Sequence, residues 1–241
     1  NYIFNIVKLL KNNNYQCVGG PWVPISTNLK SKAIKLAFQS RIISGGALSR
    51  SPNFNGLVDT VYLGAWKRDY LISLGSFDEE LIRNQDDELS LRIIKNGGRI
   101  FQSSSIKSKY SVRDKFRNLS KQYFQYGYWK FPIFIKHKYQ AKLRHFLPSI
   151  LVLSNIIVFI LGFYLNYFLQ TILFSLFGYY FLINLLLLIE NKFINNIKYI
   201  PISSFAVLIM HFSYGLGYIY CLIKFLFTKK FISEKMSSLS R

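Results

Sequence analysis

The sequence predicts an α/β domain followed by helices that cross a membrane. Within the first hundred residues, apolar residues recur at helical spacing in some segments and at strand spacing in others, a pattern typical of a sheet covered by helices. Residues 146–189 and 199–223 contain no Asp, Glu, Lys or Arg, and a membrane-spanning helix needs about 20 such residues. The chain has 241 residues, a net charge of +20 and 51% apolar residues, so its apolar content excludes a disordered tail.

The elements of the α/β part are predicted from periodicity and from glycine and asparagine stops. Ile3, Ile6 and Leu10 recur at helical spacing before an Asn-Asn-Asn stop, and Gly97-Gly98 ends a later helix. In chain order we expect a helix up to about residue 11, a strand at 15–18, a helix at 31–40, a strand at 58–63, a helix at 68–74, a helix at 87–96 and a strand at 99–102.

Three membrane spans are predicted, at 146–168, 169–189 and 200–227. A soluble helical core is disfavoured because soluble helices carry a polar face, which these segments lack. Three spans place Lys229 and Lys230 opposite the soluble part, against the preference of basic residues for the cytoplasmic side. A re-entrant or hairpin element, broken at residues 213–217, would remove that conflict.

Much of the positive charge lies in residues 102–145, where only Asp114 opposes it. Basic residues directly before a span bind anionic lipid, so we interpret 102–145 as a basic interfacial amphipathic region and 228–241 as a basic tail. Membrane lipids are the expected partner, and nucleic acid is not. Cys17 and Cys221 fall in different halves, which supports neither a disulfide nor a metal site and indicates a reducing compartment.

Asp86, Asp87 and Glu88 stand together at the start of a predicted helix. The helix dipole favours acidic side chains there, and that alone can explain them. A carboxylate at this place can also act as a general base, provided that a substrate hydroxyl comes within hydrogen-bond reach. The residues by themselves leave both interpretations open.

The order of several short motifs adds information that no single motif carries. The motifs are Gly64-Ala65-Trp66-Lys67-Arg68, Gly75-Ser76-Phe77-Asp78-Glu79-Glu80, Gln85-Asp86-Asp87-Glu88-Leu89-Ser90-Leu91-Arg92 and Asn96-Gly97-Gly98-Arg99-Ile100. This ordered set resembles the acceptor half of a family 2 glycosyltransferase. Phe124-Gln125-Tyr126-Gly127-Tyr128-Trp129-Lys130, followed by three apolar spans, is similar to the succinoglycan-biosynthesis branch of bacterial membrane glycosyltransferases.

The resemblance implies a partial GT-A domain over residues 1–101 and an inverting sugar transfer with Asp86 as general base. Asp87 or Glu88 would position Asp86 or cap the helix, and Gln85 replaces the family's Glu. Trp66 and Asp59 are further candidates for the wall of the acceptor site.

Gln125 and Trp129 resemble the family's Gln-x-x-Arg-Trp motif beside the acceptor and the leaving group. Tyr128 stands where the family has Arg, which weakens the case for a processive polymer synthase. An alternative interpretation is that Phe116, Leu119, Tyr123 and Trp129 form only the membrane-facing side of an interfacial helix.

The resemblance also implies a nucleotide-sugar donor, a UDP-sugar, and a divalent cation, Mg²⁺ or Mn²⁺, held by an Asp-x-Asp motif. This sequence has no Asp-x-Asp. We therefore expect a C-terminal fragment whose missing N-terminal portion carries that motif, and we expect the 241 residues alone to be inactive.

The leading hypothesis is a hexosyltransferase at the cytoplasmic face of the inner membrane, acting on a lipid-linked or oligosaccharide acceptor in cell-surface polysaccharide synthesis. The alternative is a non-catalytic scaffold or a transporter subunit of a polysaccharide export complex. Transport pathways usually need ionisable groups in their spans. Before Lys224 these spans contain no Asp, Lys or Arg, which disfavours the transporter alternative.

Overall fold

The computed structural model of the chain describes residues 2–43, 46–137 and 145–230. It shows a small mixed α/β sheet region followed by long helices, as the sequence predicts. The described residues form two compact units, one of residues 2–25 and 46–112 and one of the remainder. Of the predicted basic tail at 228–241, the residues from 231 onward lie outside the described part of the chain.

The first unit contains six short strands and three helices. The strands are β1 (Cys17–Gly20), β2 (Trp22–Ile25), β3 (Gly56–Leu57), β4 (Tyr62–Trp66), β5 (Ile100–Gln102) and β6 (Ser108–Ser111). The α-helices among the described residues are α1 (Tyr2–Asn12), α2 (Leu29–Gln39), α3 (Arg68–Ser73), α4 (Gln85–Lys95), α5 (Phe116–His137), α6 (Leu147–Tyr164), α7 (Phe168–Ile189) and α8 (Ile200–Thr228). Of these, α1, α3 and α4 belong to the first unit.

The strands of the first unit form two sheets. The larger has the order β3-β5-β1-β4, in which β1 is parallel to β5 and antiparallel to β4. The smaller pairs β2 with β6 in parallel. The predicted strand at 58–63 is displaced toward the C-terminus, to 62–66, because β4 pairs with β1 from Cys17↔Trp66 to Gly20↔Tyr62.

A bend at Gly20 separates β1 from β2. A Cβ atom at this position would lie 1.4 Å from the carbonyl oxygen of Ile106, so only glycine permits this close approach of two backbones. The chain leaves the larger sheet at the bend and continues as β2 beside β6.

Helices cover both faces of the larger sheet. Cys17 packs in a buried cluster with Leu89 and Ile93 of α4, whereas the next residue, Val18, packs with Ile6 and Leu10 of α1. This split follows from the alternation of side chains along a strand.

The predicted boundary between residues 101 and 102 falls inside β5, and the first unit extends to residue 112. The reason is the long-range pairing of β6 with β2, which has no local sequence signal. In the second unit, α2 packs on α8, where Ser203 donates a hydrogen bond to the carbonyl oxygen of Ala33, at 3.0 Å.

The second unit contains three helices long and apolar enough to cross a membrane. They are Leu147–Tyr164, Phe168–Ile189 and Asn195–Thr228, close to the predicted spans. The helix α8 is continuous through residues 213–217, so the re-entrant break considered from the sequence does not occur. Its glycines serve close packing instead, since a Cβ at Gly217 would lie 2.0 Å from the carbonyl oxygen of Phe124 in α5.

The helix α5 packs lengthwise against α8. Ser120 and Ser213 form a hydrogen bond of 2.8 Å, and the ring of Phe116 meets that of Phe205. Leu119 and Trp129 are both 0% exposed. These two residues therefore pack against protein, and the alternative that placed them on a membrane-facing side of the helix is wrong.

Candidate active site

The three carboxylates at the start of α4 differ in exposure. Asp86 is exposed, Asp87 is half-buried and Glu88 is 1% exposed. Asn84, directly before the helix, has a left-handed backbone (φ 61°) and makes no side-chain cap. The helix therefore presents Asp86 to solvent while its next turn is anchored in the interior.

Glu88 is held by Arg92, one turn further along α4. The guanidinium Nε donates to Oε1 at 2.7 Å and Nη2 donates to Oε2 at 2.8 Å. Arg92 also donates to the carbonyl oxygens of Leu74 and Ser76, in a turn where Gly75 and Ser76 have positive φ. Glu88 thus has a structural role: through Arg92 it connects α4 to the turn after α3.

A second contact fixes α4 beside the segment that enters β4. The hydroxyl of Ser90 donates to the carbonyl oxygen of Asp86 at 2.7 Å and lies 3.3 Å from the hydroxyl oxygen of Thr60. Thr60 follows the half-buried Asp59. Two acidic candidates from the sequence, Asp59 and Asp86, therefore lie on neighbouring segments.

Three aromatic residues that the sequence analysis did not single out contact one another, and one of them, Tyr62, lies near Asp86. The ring of Tyr110 is 6.0 Å from that of Tyr62 and 4.9 Å from that of Trp22, both edge to face. Burial raises the pKa of Tyr62, and the nearby Tyr110, Tyr2 and Asp86 raise it further by electrostatic repulsion. No local motif marks these residues, because strands far apart in the sequence bring them together.

Trp66 lies at the other end of β4 from Tyr62. Its ring meets that of Phe77 edge to face at 5.7 Å, and it packs against the cluster of Cys17, Leu89 and Ile93. Its indole Nε1 is buried and has no hydrogen-bond partner among the described residues. Its predicted role in the acceptor wall stays a prediction.

Gln125 and Trp129 belong to the second unit, where they are 2% and 0% exposed on α5. Tyr128, which stands where the resemblance has Arg, is also buried, and its hydroxyl accepts a hydrogen bond from Lys224 at 3.4 Å. Because they are buried, these residues contribute to the packing of the helices. The predicted contact of Gln125 and Trp129 with substrate stays a prediction.

Within the described ranges, no group of three His, Cys, Asp or Glu side chains is arranged to hold a metal ion. Of the three carboxylates on α4, Glu88 is already paired with Arg92. The divalent cation that the resemblance implies stays a prediction, since its Asp-x-Asp motif is not in this sequence.

Together, the fold and the site define an α/β protein with three helices long and apolar enough to span a membrane and with an exposed carboxylate at a helix start. The chain is 30% identical over 117 residues to "Succinoglycan biosynthesis protein ExoA" of Rhizobium meliloti (strain 1021), and this match covers 48% of the chain and 36% of that protein. No family model and no solved structure matches the chain. The match confirms the predicted resemblance as a distant relationship to the succinoglycan-biosynthesis proteins.

The matched region spans about a third of the length of its relative.

Proposed function

We propose that the protein is a membrane-bound inverting glycosyltransferase of cell-surface polysaccharide synthesis. It moves a sugar from a nucleotide-sugar, a UDP-sugar, to a lipid-linked or oligosaccharide acceptor. The observation that carries this proposal is Asp86, an exposed carboxylate at the start of a helix that Glu88, Arg92 and Ser90 fix in the fold. The similarity to a succinoglycan biosynthesis protein supports a role in exopolysaccharide synthesis, and three long apolar helices support the membrane location.

In the proposed reaction, Asp86 takes the proton of an acceptor hydroxyl. The acceptor oxygen forms a new bond to C1 of the donor sugar on the face opposite the nucleoside diphosphate. The bond between C1 and the phosphate oxygen breaks, and its electron pair leaves with the diphosphate, so the configuration at C1 is inverted. A general base in this position contributes about 10²- to 10⁴-fold to the rate.

The environment of Asp86 suits this role. Because the carboxylate is exposed, an acceptor can reach it without a rearrangement of the core. Asp87 is half-buried beside Asp86 and is proposed as a supporting charge. Glu88 has a structural role instead, because Arg92 donates hydrogen bonds to both of its carboxylate oxygens.

In the proposed function, the catalytic unit lies at the cytoplasmic face of the inner membrane, where it meets nucleotide-sugars from the cytoplasm. A lipid-linked acceptor would then be held in the same membrane as α6, α7 and α8. The full-length protein is also proposed to need a divalent cation for activity.

The test is sugar transfer into the lipid fraction by the full-length protein and its Asp86→Asn variant, with radiolabelled UDP-sugars and membranes of the source organism. Asp86→Asn removes the base while keeping the shape of the side chain, so transfer should fall about 10²-fold or more. Asp69→Asn is the matched control, since Asp69 is an exposed acid in the first turn of α3. It should transfer at the wild-type rate.

Equal rates for wild-type and Asp86→Asn protein would remove Asp86 as the base. No transfer by the wild-type protein with any UDP-sugar would favour the scaffold or transporter subunit instead. The 241-residue chain by itself is expected to be inactive.

A further inference from the structure

Three aromatic side chains form a continuous group beside Asp86, and we call Trp22, Tyr62 and Tyr110 the aromatic cluster. Their rings touch in series, Trp22 with Tyr110 at 4.9 Å and Tyr110 with Tyr62 at 6.0 Å between centroids. All three are half-buried, unlike the core residues of the same unit, which are at most 8% exposed. The cluster therefore presents aromatic surface to solvent.

The fold assembles this cluster from both sheets. Trp22 on β2 and Tyr110 on β6 are diagonal neighbours, because the register pairs Trp22 with Ser108 and Pro24 with Tyr110. Tyr62 begins β4 and lies opposite Gly20, at the bend where the chain passes from one sheet to the other. The bend that only glycine permits thus brings the third ring to the other two.

One member of the cluster, Tyr62, is connected to Asp86 by two relationships. Ser90 bonds to the carbonyl oxygen of Asp86 and contacts Thr60, which is two residues before Tyr62. Burial, Tyr110 and Tyr2 raise the pKa of Tyr62, and the charge of Asp86 adds a smaller effect in the same direction. An acceptor hydroxyl at Asp86 would therefore belong to a molecule that also reaches the aromatic cluster.

We propose that the aromatic cluster binds a pyranose ring of the saccharide acceptor and so presents one of its hydroxyl groups to Asp86. The inference rests on the proposed function and deepens it, since it assigns the acceptor, rather than the donor sugar, to this surface. One face of a pyranose ring carries mainly C–H groups, which pack on aromatic rings, while its hydroxyls need polar partners. The tyrosine hydroxyls of Tyr62 and Tyr110 supply such partners beside apolar ring surface.

Arg50 adds a polar group at the edge of the cluster. Its guanidinium lies 5.9 Å from the centre of the Trp22 ring, within the range of a cation–π contact. The contact holds the indole in place and sets hydrogen-bond donors next to it. A surface of aromatic rings with a few polar groups at its rim is typical of small-molecule sites.

Kinetics on the full-length protein test the inference. With host membrane lipid extract as the varied acceptor, Trp22→Ala should raise the acceptor KM about tenfold, the loss expected for one good aromatic contact. The KM for the UDP-sugar should stay unchanged, and Trp22→Phe should recover most of the acceptor affinity. Tyr15→Ala is the control, because Tyr15 stacks on Phe101 near the other end of β1.

An unchanged acceptor KM in Trp22→Ala would overturn the inference while Asp86→Asn still defines the base. A raised donor KM would assign the surface to the donor sugar and would overturn it as well. A fall in kcat alone, with a lower melting temperature, would show that Trp22 only stabilises the fold, and this too would overturn it.

A binding measurement makes the result independent of catalysis. Saturation-transfer NMR with lactose and cellotetraose as probes should detect ring C–H protons on the wild-type and Asp86→Asn proteins, and the signal should fall severalfold in Trp22→Ala. The NMR signal is expected even if the wild-type protein transfers no sugar, although that result would overturn the proposed function. No Trp22-dependent signal for either probe would overturn the inference.

Discussion

Glu88 and Arg92 form a two-point ion pair one helical turn apart, and the same guanidinium donates to the carbonyl oxygens of Leu74 and Ser76. The pair connects two of the motifs that carry the sequence resemblance, the Gly75–Glu80 turn and the acidic start of α4. Because it determines where α4 lies, it also determines where Asp86 is presented. The acidic run thus contains one residue that faces solvent, Asp86, and one that stabilises the fold, Glu88.

Glu88→Gln is expected to destabilise the protein by about 2 kcal/mol, because hydrogen bonds to charged groups contribute about 1.5–3 kcal/mol and Arg92 would lose its counter-charge. The measurement is thermal unfolding of the full-length protein in detergent. Glu79→Gln is the control, since Glu79 is exposed, and it should leave the melting temperature unchanged. Equal melting temperatures for Glu88→Gln and wild type would refute the anchoring role.

Gly217→Ala should destabilise the second unit, because its Cβ would meet the carbonyl oxygen of Phe124 at 2.0 Å. Overpacking of this kind costs about 1–3 kcal/mol. Gly178→Ala in α7 is a matched control, since nothing lies within 4 Å of its Cβ position, and alanine there should be neutral or slightly stabilising. A normal melting temperature for Gly217→Ala would contradict the close packing of α5 on α8.

Cys17 should resist alkylation in the folded protein. It is 0% exposed, and burial raises its pKa to about 12, with a smaller lowering from a hydrogen bond to the backbone of Ala65. At pH 8 its thiolate fraction is then about a thousandfold below that of an ordinary thiol. N-Ethylmaleimide labelling of the Cys17 peptide, followed by mass spectrometry, should be slow in the native protein and fast in denaturant.

The same pKa shift has a consequence for stability. The folded state favours the protonated thiol, so the stabilisation is fully present below the ordinary thiol pKa and is lost as pH rises from about 9 toward about 12. Cys17→Ser should reduce the loss of stability over this alkaline range. An unaltered alkaline unfolding profile in Cys17→Ser would argue against the shift.

Gln125→Ala tests whether α5 contacts the acceptor. Gln125 is 2% exposed on α5. If it makes the predicted hydrogen bond to the acceptor, transfer by the full-length protein should fall about tenfold while the protein stays in the membrane fraction. Asn118→Ala on the same helix is the control, because Asn118 is only half-buried. Wild-type transfer by Gln125→Ala would restrict Gln125 to helix packing.

Much of the helical structure could be predicted because its signals are local. The charge-free stretches predict α6, α7 and α8 closely, and the asparagine and glycine stops predict the ends of α1 and α4. Three strands, β2, β3 and β6, were missed. Residues 22–25 and 108–111 pair with each other across the chain. The first stretch is short and contains Pro24, and the second is short and mostly polar, so neither predicts a strand by itself.

The sequence by itself determined the class of the protein, an α/β region joined to membrane helices with an acidic helix start at Asp86, because charge, apolar runs and helix ends are properties of neighbouring residues. Only the tertiary structure decided which carboxylate is exposed, that Glu88 is paired with Arg92, and that Trp22, Tyr62 and Tyr110 meet beside Asp86. The aromatic contacts join residues about 50 to 90 positions apart, and no local pattern records such contacts. They depend on the bend at Gly20, where the absence of a side chain lets one backbone pass against another.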